Sequence, residues 1–145
     1  MKPEVYTVGY EGRSFEEFAE MLMSSGVKQV FDVRRNPVSI RKEFSRDHLK
    51  RSLSRYGIWY MPFSDLGPPY AMRKRYKSGI ISLREFSEVY FEHLITNAGI
   101  LYCLEELATL RRSALMCFER DWRGCHRSII ARQMAWERGF EVVNL

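Results

Sequence analysis

Ala114-Leu115-Met116-Cys117-Phe118-Glu119 is an apolar, β-type run that ends in a thiol and a carboxylate, and Cys125-His126-Arg127-Ser128 follows it after a short polar loop. The second stretch reads as the start of a helix. Strand, loop and helix start, in that order, is the unit on which α/β proteins hold anions and place reactive side chains. The free amides at a helix N-terminus attract negative charge, and loops beyond the strand ends carry the functional groups.

Outward from this unit the same alternation repeats. A helix from about Cys125 to Arg138 stops at Gly139, and Phe140–Leu145 reads as a last strand. Upstream, Ser82-Leu83-Arg84-Glu85 has the spacing of a capping box, and a helix runs from it to Asn97; Gly99 separates that helix from another, Ile100 to Leu110. Near the start, Val5–Gly9 is a short strand. Ser14-Phe15-Glu16-Glu17 is a second capping box, with Phe15, Phe18, Ala19 and Leu22 at helical spacing as far as Gly26. Val27–Val33 and Ile58–Met61 are further strands. Ser45 or Asp47 begins a helix that ends at Tyr56. From Ser64 to Gly79 the pattern fails: Gly67-Pro68-Pro69 interrupts regular structure, and the segment is expected to be irregular and functional or mobile. Strands alternating with helices predict a single α/β domain over residues 1–145, with a mostly parallel sheet of about five strands and helices on both faces.

In such a sheet ligands bind beyond the carboxyl ends of the strands. That rule selects Gly9-Tyr10-Glu11-Gly12, Asp32-Val33-Arg34-Arg35, and the stretch from Cys117 through Glu119 to Ser128. Asp32, Glu119 and His126 are the candidate acid–base groups. Arg34, Arg35 and Arg127 are candidate anion ligands, joined by Ser128, Gly12, Cys117 and Cys125. The spacing Cys117-x5-Arg123 imitates a cysteine-phosphatase loop, but the intervening Glu119, Asp121 and Trp122 are wrong for cradling a dianion. Cys117 and Cys125, eight positions apart with no second C-x-x-C, do not match a four-ligand zinc site, so no metal and no cofactor is expected. Gly9-Tyr10-Glu11-Gly12 lacks the dinucleotide fingerprint. Cys125, at the helix start among Arg123, His126 and Arg127, is the thiol expected to be activated; Cys103, inside an apolar helix, is expected to be inert.

The 145-residue chain carries a net charge of +5, and most of its basic residues are arginine. Arg34 to Arg55 holds eight basic residues against Glu43 and Asp47, and Arg73-Lys74-Arg75-Tyr76-Lys77 is a second cluster. Two basic patches point to an anionic partner, a phosphate-bearing small molecule or nucleic acid, with Tyr70, Tyr76 and Trp122 available to stack on bases. No apolar stretch approaches the roughly 18 residues of a membrane span. The N-terminus lacks the apolar core of a signal peptide, and the three cysteines suit no disulfide framework, so a reduced, cytoplasmic protein is expected.

Thr7-Val8-Gly9-Tyr10, Asp32-Val33-Arg34 with Pro37, Phe44, Leu66-Gly67, Leu115–Glu119, Cys125-His126-Arg127-Ser128 and Gly139–Val143 together resemble domain-of-unknown-function family 488 over nearly the whole chain. The resemblance implies a small α/β domain with a polar site at these positions, and no settled activity. Members often have histidine after the first glycine, where this chain has Tyr10. The sequence therefore predicts a strand-edge site for a phosphate-bearing or otherwise anionic ligand, in an enzyme acting hydrolytically on nucleotide or nucleic acid. Two alternatives stand beside it: a nucleic-acid-binding module without turnover, and a thiol- or metal-dependent protein built on Cys117 and Cys125.

Overall fold

A computed structural model describes residues 2–145. In chain order the elements are β1 (Glu4–Gly9), α1 (Phe15–Ser24), β2 (Gln29–Asp32), α2 (Arg46–Ser54), β3 (Trp59–Pro62), α3 (Tyr70–Lys77), α4 (Leu83–Thr96), α5 (Ala98–Leu110), β4 (Ser113–Cys117), α6 (His126–Arg138) and β5 (Glu141–Asn144). The five strands form one parallel sheet in the order β3-β2-β4-β1-β5.

The interior strands β1, β2 and β4 are buried almost throughout, because helices cover both faces; hence their unbroken apolar runs. The edge strands β3 and β5 are largely exposed, and Pro62, which has no amide hydrogen to donate, ends the edge strand β3. Strand crossovers are right-handed, so connections running in opposite directions along the sheet lie on opposite faces. One core accordingly joins α1 and α2 to the sheet through Phe18, Leu22, Leu49 and Leu53. The other joins α4, α5 and α6 through Tyr90, Leu94, Leu104, Ile130 and Met134.

Both expected capping boxes form. The Ser14 and Ser82 hydroxyls accept from the amides of Glu17 and Glu85, whose carboxylates accept in return from the Ser14 and Ser82 amides. The segment expected to be irregular does not stay so: it contains a 3₁₀ turn at Ser64–Leu66 and the helix α3. Gly67-Pro68-Pro69 only separates the two. α3 buries none of its residues fully, so its sequence has no apolar stripe to announce it. It is held by the Tyr76 ring, stacked on Phe86 at 4.5 Å. Cys103 also departs from expectation, being exposed on α5. Among the described residues no helix is long and apolar enough to cross a membrane.

Candidate functional site

β1 and β4 lie side by side in register, Gly9 beside Cys117. From their carboxyl ends the chain leaves for α1 on one face and α6 on the other. That divergence opens a crevice where α/β sheets bind ligands. The two loops touch at its base: a Cβ on Gly9 would lie 1.8 Å from the Glu119 carbonyl oxygen, so only glycine fits. Gly67 is constrained likewise by the Arg35 backbone, 2.1 Å from where its Cβ would be. The cavity above has a volume of about 670 Å³. Four arginines line it, Arg34, Arg35, Arg41 and Arg73, with the rings of Tyr10, Tyr70 and Phe118; Cys117, Glu119 and His126 also reach it.

Asp32, at the end of β2, is fully buried below this surface. One carboxylate oxygen accepts from the Arg34 amide and, at 2.8 Å, from Arg34 Nε; the other accepts from Arg34 Nη2 at 2.7 Å and from the Tyr60 hydroxyl. Arg34 Nη1 continues to the Tyr10 hydroxyl at 3.1 Å. Burial opposes the Arg34 charge, but the hydrogen bonds and charge of Asp32 outweigh it and raise the guanidinium pKa. Burial, reinforced by Asp32, raises that of Tyr60. With every lone pair engaged, Asp32 is suited to fixing Arg34.

Arg127, the first-turn arginine of α6, has no exposed surface. Its guanidinium donates to the Glu119 and Arg120 carbonyls and, at 2.9 Å, to Cys117 Sγ. Burial lowers its pKa to about 10, which leaves it charged at neutral pH. It ties the 117–120 loop to α6 and does not line the cavity. Glu119 sits above: one of its oxygens lies 3.3 Å from Cys117 Sγ, while Lys77 and Arg73 lie 3.0 and 3.5 Å from the other. Burial would raise the Glu119 pKa, but the Lys77 hydrogen bond and charge bring it below the ordinary value.

Cys117 and Cys125 are joined as a disulfide between β4 and α6, with Cα atoms 7.8 Å apart. Eight positions separate them, and they meet because β4 ends and α6 begins at one edge. The pairing corrects two expectations, that the cysteines form no disulfide and that Cys125 is a partly exposed thiol activated by arginine. The Cys125 sulfur is buried, and the arginine lies on Cys117 instead. His126 is fixed by its Nε2, 2.6 Å from the Val33 carbonyl. A carbonyl only accepts, so Nε2 carries the hydrogen of the neutral ring, and Nδ1 presents its lone pair 3.8 Å from Cys125 Sγ. Cys117 Sγ, a Glu119 oxygen and Cys125 Sγ all lie within 4.8 Å of one another and are the groups able to hold a soft metal ion.

The remaining candidates are spread. Arg35 is exposed on the cavity rim. Ser128 donates back to the Cys125 carbonyl and serves the helix. Gly12 is exposed in a turn of positive φ and does not line the cavity. Arg123 turns away to pair with Asp121 and lie over Trp122, so the Cys117-x5-Arg123 spacing builds no phosphate loop. Tyr76 is spent on packing, whereas Tyr70 is 74% exposed at the cavity. Residue types and spacing did not single out Tyr60 or Arg41. Tyr60 reaches Asp32 across the β2–β3 pair, and Arg41 enters from a loop, donating to the Arg13 carbonyl and lying over Phe44. An aromatic hydroxyl in a strand beside the carboxylate strand was the available signal for Tyr60.

A sequence model of one protein family, described as Domain of unknown function DUF488, matches residues 14–134. No curated protein matches the chain, and no solved structure does.

Proposed function

The chain belongs to that family, which has no assigned activity, and we propose from the site that the protein binds a phosphate-bearing anion of nucleotide size and acts on it hydrolytically. One observation carries the reading: a cavity of about 670 Å³ lined by four arginines and three aromatic rings, with a single carboxylate facing in. Guanidinium groups match phosphate oxygens bidentately, and rings beside them suit a planar base. The arginines are not equally free. Arg34 is held by Asp32, and Arg41 by loop carbonyls and Glu43. Arg35, on the rim, is the cation that meets the ligand first, while Arg73 also pairs with Glu119. Glu119, kept ionised by Lys77, orients the attacking water.

Calorimetry with mononucleotides and inorganic phosphate tests this. A nucleoside phosphate should bind, and Arg35→Gln should weaken it by about tenfold, the loss of one charge-assisted hydrogen bond. Glu119→Gln should keep binding and lose turnover. Millimolar nucleotide without heat of binding, or an affinity unchanged in Arg35→Gln, overturns the proposal. A single-stranded oligonucleotide that binds with steep salt dependence where mononucleotides do not would replace the enzyme with a nucleic-acid module.

A further inference from the structure

The thiols give this site a second chemistry. We propose that the Cys117–Cys125 disulfide is redox-active: once reduced, the dithiol exchanges with a small anionic disulfide admitted by the arginine-lined cavity, with Cys117 as nucleophile and Cys125 as resolving thiol. The proposal shares the cavity's preference for anions with the nucleotide reading but does not depend on nucleotide binding.

Three observations assign the roles. Cys117 is the thiol on the cavity wall, and Arg127 Nη1 lies 2.9 Å from its sulfur. A buried cation against sulfur favours the thiolate, the form that attacks disulfides. Cys125 is behind it, off the main cavity but within reach of Cys117. A nucleophilic thiol in front and a second thiol behind make up the parts of two-step exchange.

The steps balance. The Cys117 proton passes by way of Glu119 to solvent. The Cys117 thiolate attacks one sulfur of the oxidant R–S–S–R, the S–S bond breaks, and R–S⁻ leaves and takes a proton from water. Cys125 attacks the Cys117 sulfur of the mixed disulfide, and its proton passes through water to the second R–S⁻ as that leaves. The protein dithiol is oxidised by two electrons, and one disulfide is reduced to two thiols.

The test uses a Cys103→Ser background, because Cys103 is exposed and would label by itself. Reduced protein is mixed with glutathione disulfide, which is anionic, or with neutral hydroxyethyl disulfide, then acid-quenched and weighed by mass spectrometry. The expected product has lost two hydrogens, with Cys117 and Cys125 joined. Cys125→Ser should stop at a glutathione adduct on Cys117, and Cys117→Ser should take none; Cys117→Ala replaces it if the buried hydroxyl prevents folding. Glutathione disulfide should react about tenfold faster than the neutral reagent, an advantage removed by salt. No adduct on Cys117 in the folded protein, an adduct on Cys125 first, or one zinc per chain that must be chelated away before either thiol reacts would overturn the proposal, the last in favour of a metal site on Cys117, Glu119 and Cys125. Exchange without nucleotide binding, or the reverse, separates this proposal from the preceding one.

Discussion

At neutral pH His126 is uncharged, because burial pushes its pKa down to about 4 from the ordinary 6.5. Between those values the unfolded chain holds a proton on this ring that the folded chain refuses, so stability rises with pH across the window. The contribution is complete above about pH 6.5 and is lost as the pH falls toward 4. Its full size is about 3 kcal/mol, at about 1.4 kcal/mol per pH unit. Glu119, whose pKa is lowered in the fold, adds a loss of the same sign as the pH falls through its folded value. Urea unfolding at intervals from pH 4 to 8 reads the slope directly. His126→Gln, which can still donate to the Val33 carbonyl, should flatten the curve; an unchanged slope would place the dependence on other groups.

The helices show which elements are readable from residue types. Ser82→Ala removes one side of a reciprocal cap and should cost about 1 kcal/mol, seen as a lower urea midpoint with an unchanged slope. A loss within error would mean that the first turn of α4 is held by packing alone. Such caps are visible in sequence because donor and acceptor are three residues apart, and the parallel sheet because strand and helix periods alternate. α3 was hidden because it buries no residue fully and its cohesion comes from Tyr76 on Phe86. The candidate site divides the same way. Asp32, Arg34, Glu119, His126 and Arg127 could be placed at strand ends by local pattern. Which of them face the cavity depends on register and on side-chain direction. Asp32 and Arg127 lie underneath, engaged with Arg34 and with loop carbonyls, while Tyr60 and Arg41 depend on contacts between distant segments and the Cys117–Cys125 pairing on how the intervening loop turns back.

Across the whole molecule, the sheet order has a consequence for how the chain acquires its shape. Among the described residues β1 is hydrogen-bonded to β4 and β5 and to no other strand, and β4 is the bridge between β1 and β2. A ribosome that has delivered everything up to Leu110 has therefore made a first strand without a partner. Only β2 and β3 can pair at that stage, and all sheet contacts of β1 wait for residues from the last quarter of the chain. Contacts of such long sequence separation form slowly, and an unpaired apolar strand is exposed meanwhile. Stalled nascent chains ending at Leu110 should be digested by a dilute protease, whereas chains with all 145 residues clear of the exit tunnel should resist it. Resistance in the shorter species would mean that β1 finds a substitute partner. The arrival of β4 thus joins β1 to the β2–β3 pair and brings Cys117 and Glu119 to the cavity in the same step, so the central sheet contacts and two of the chemical groups come together.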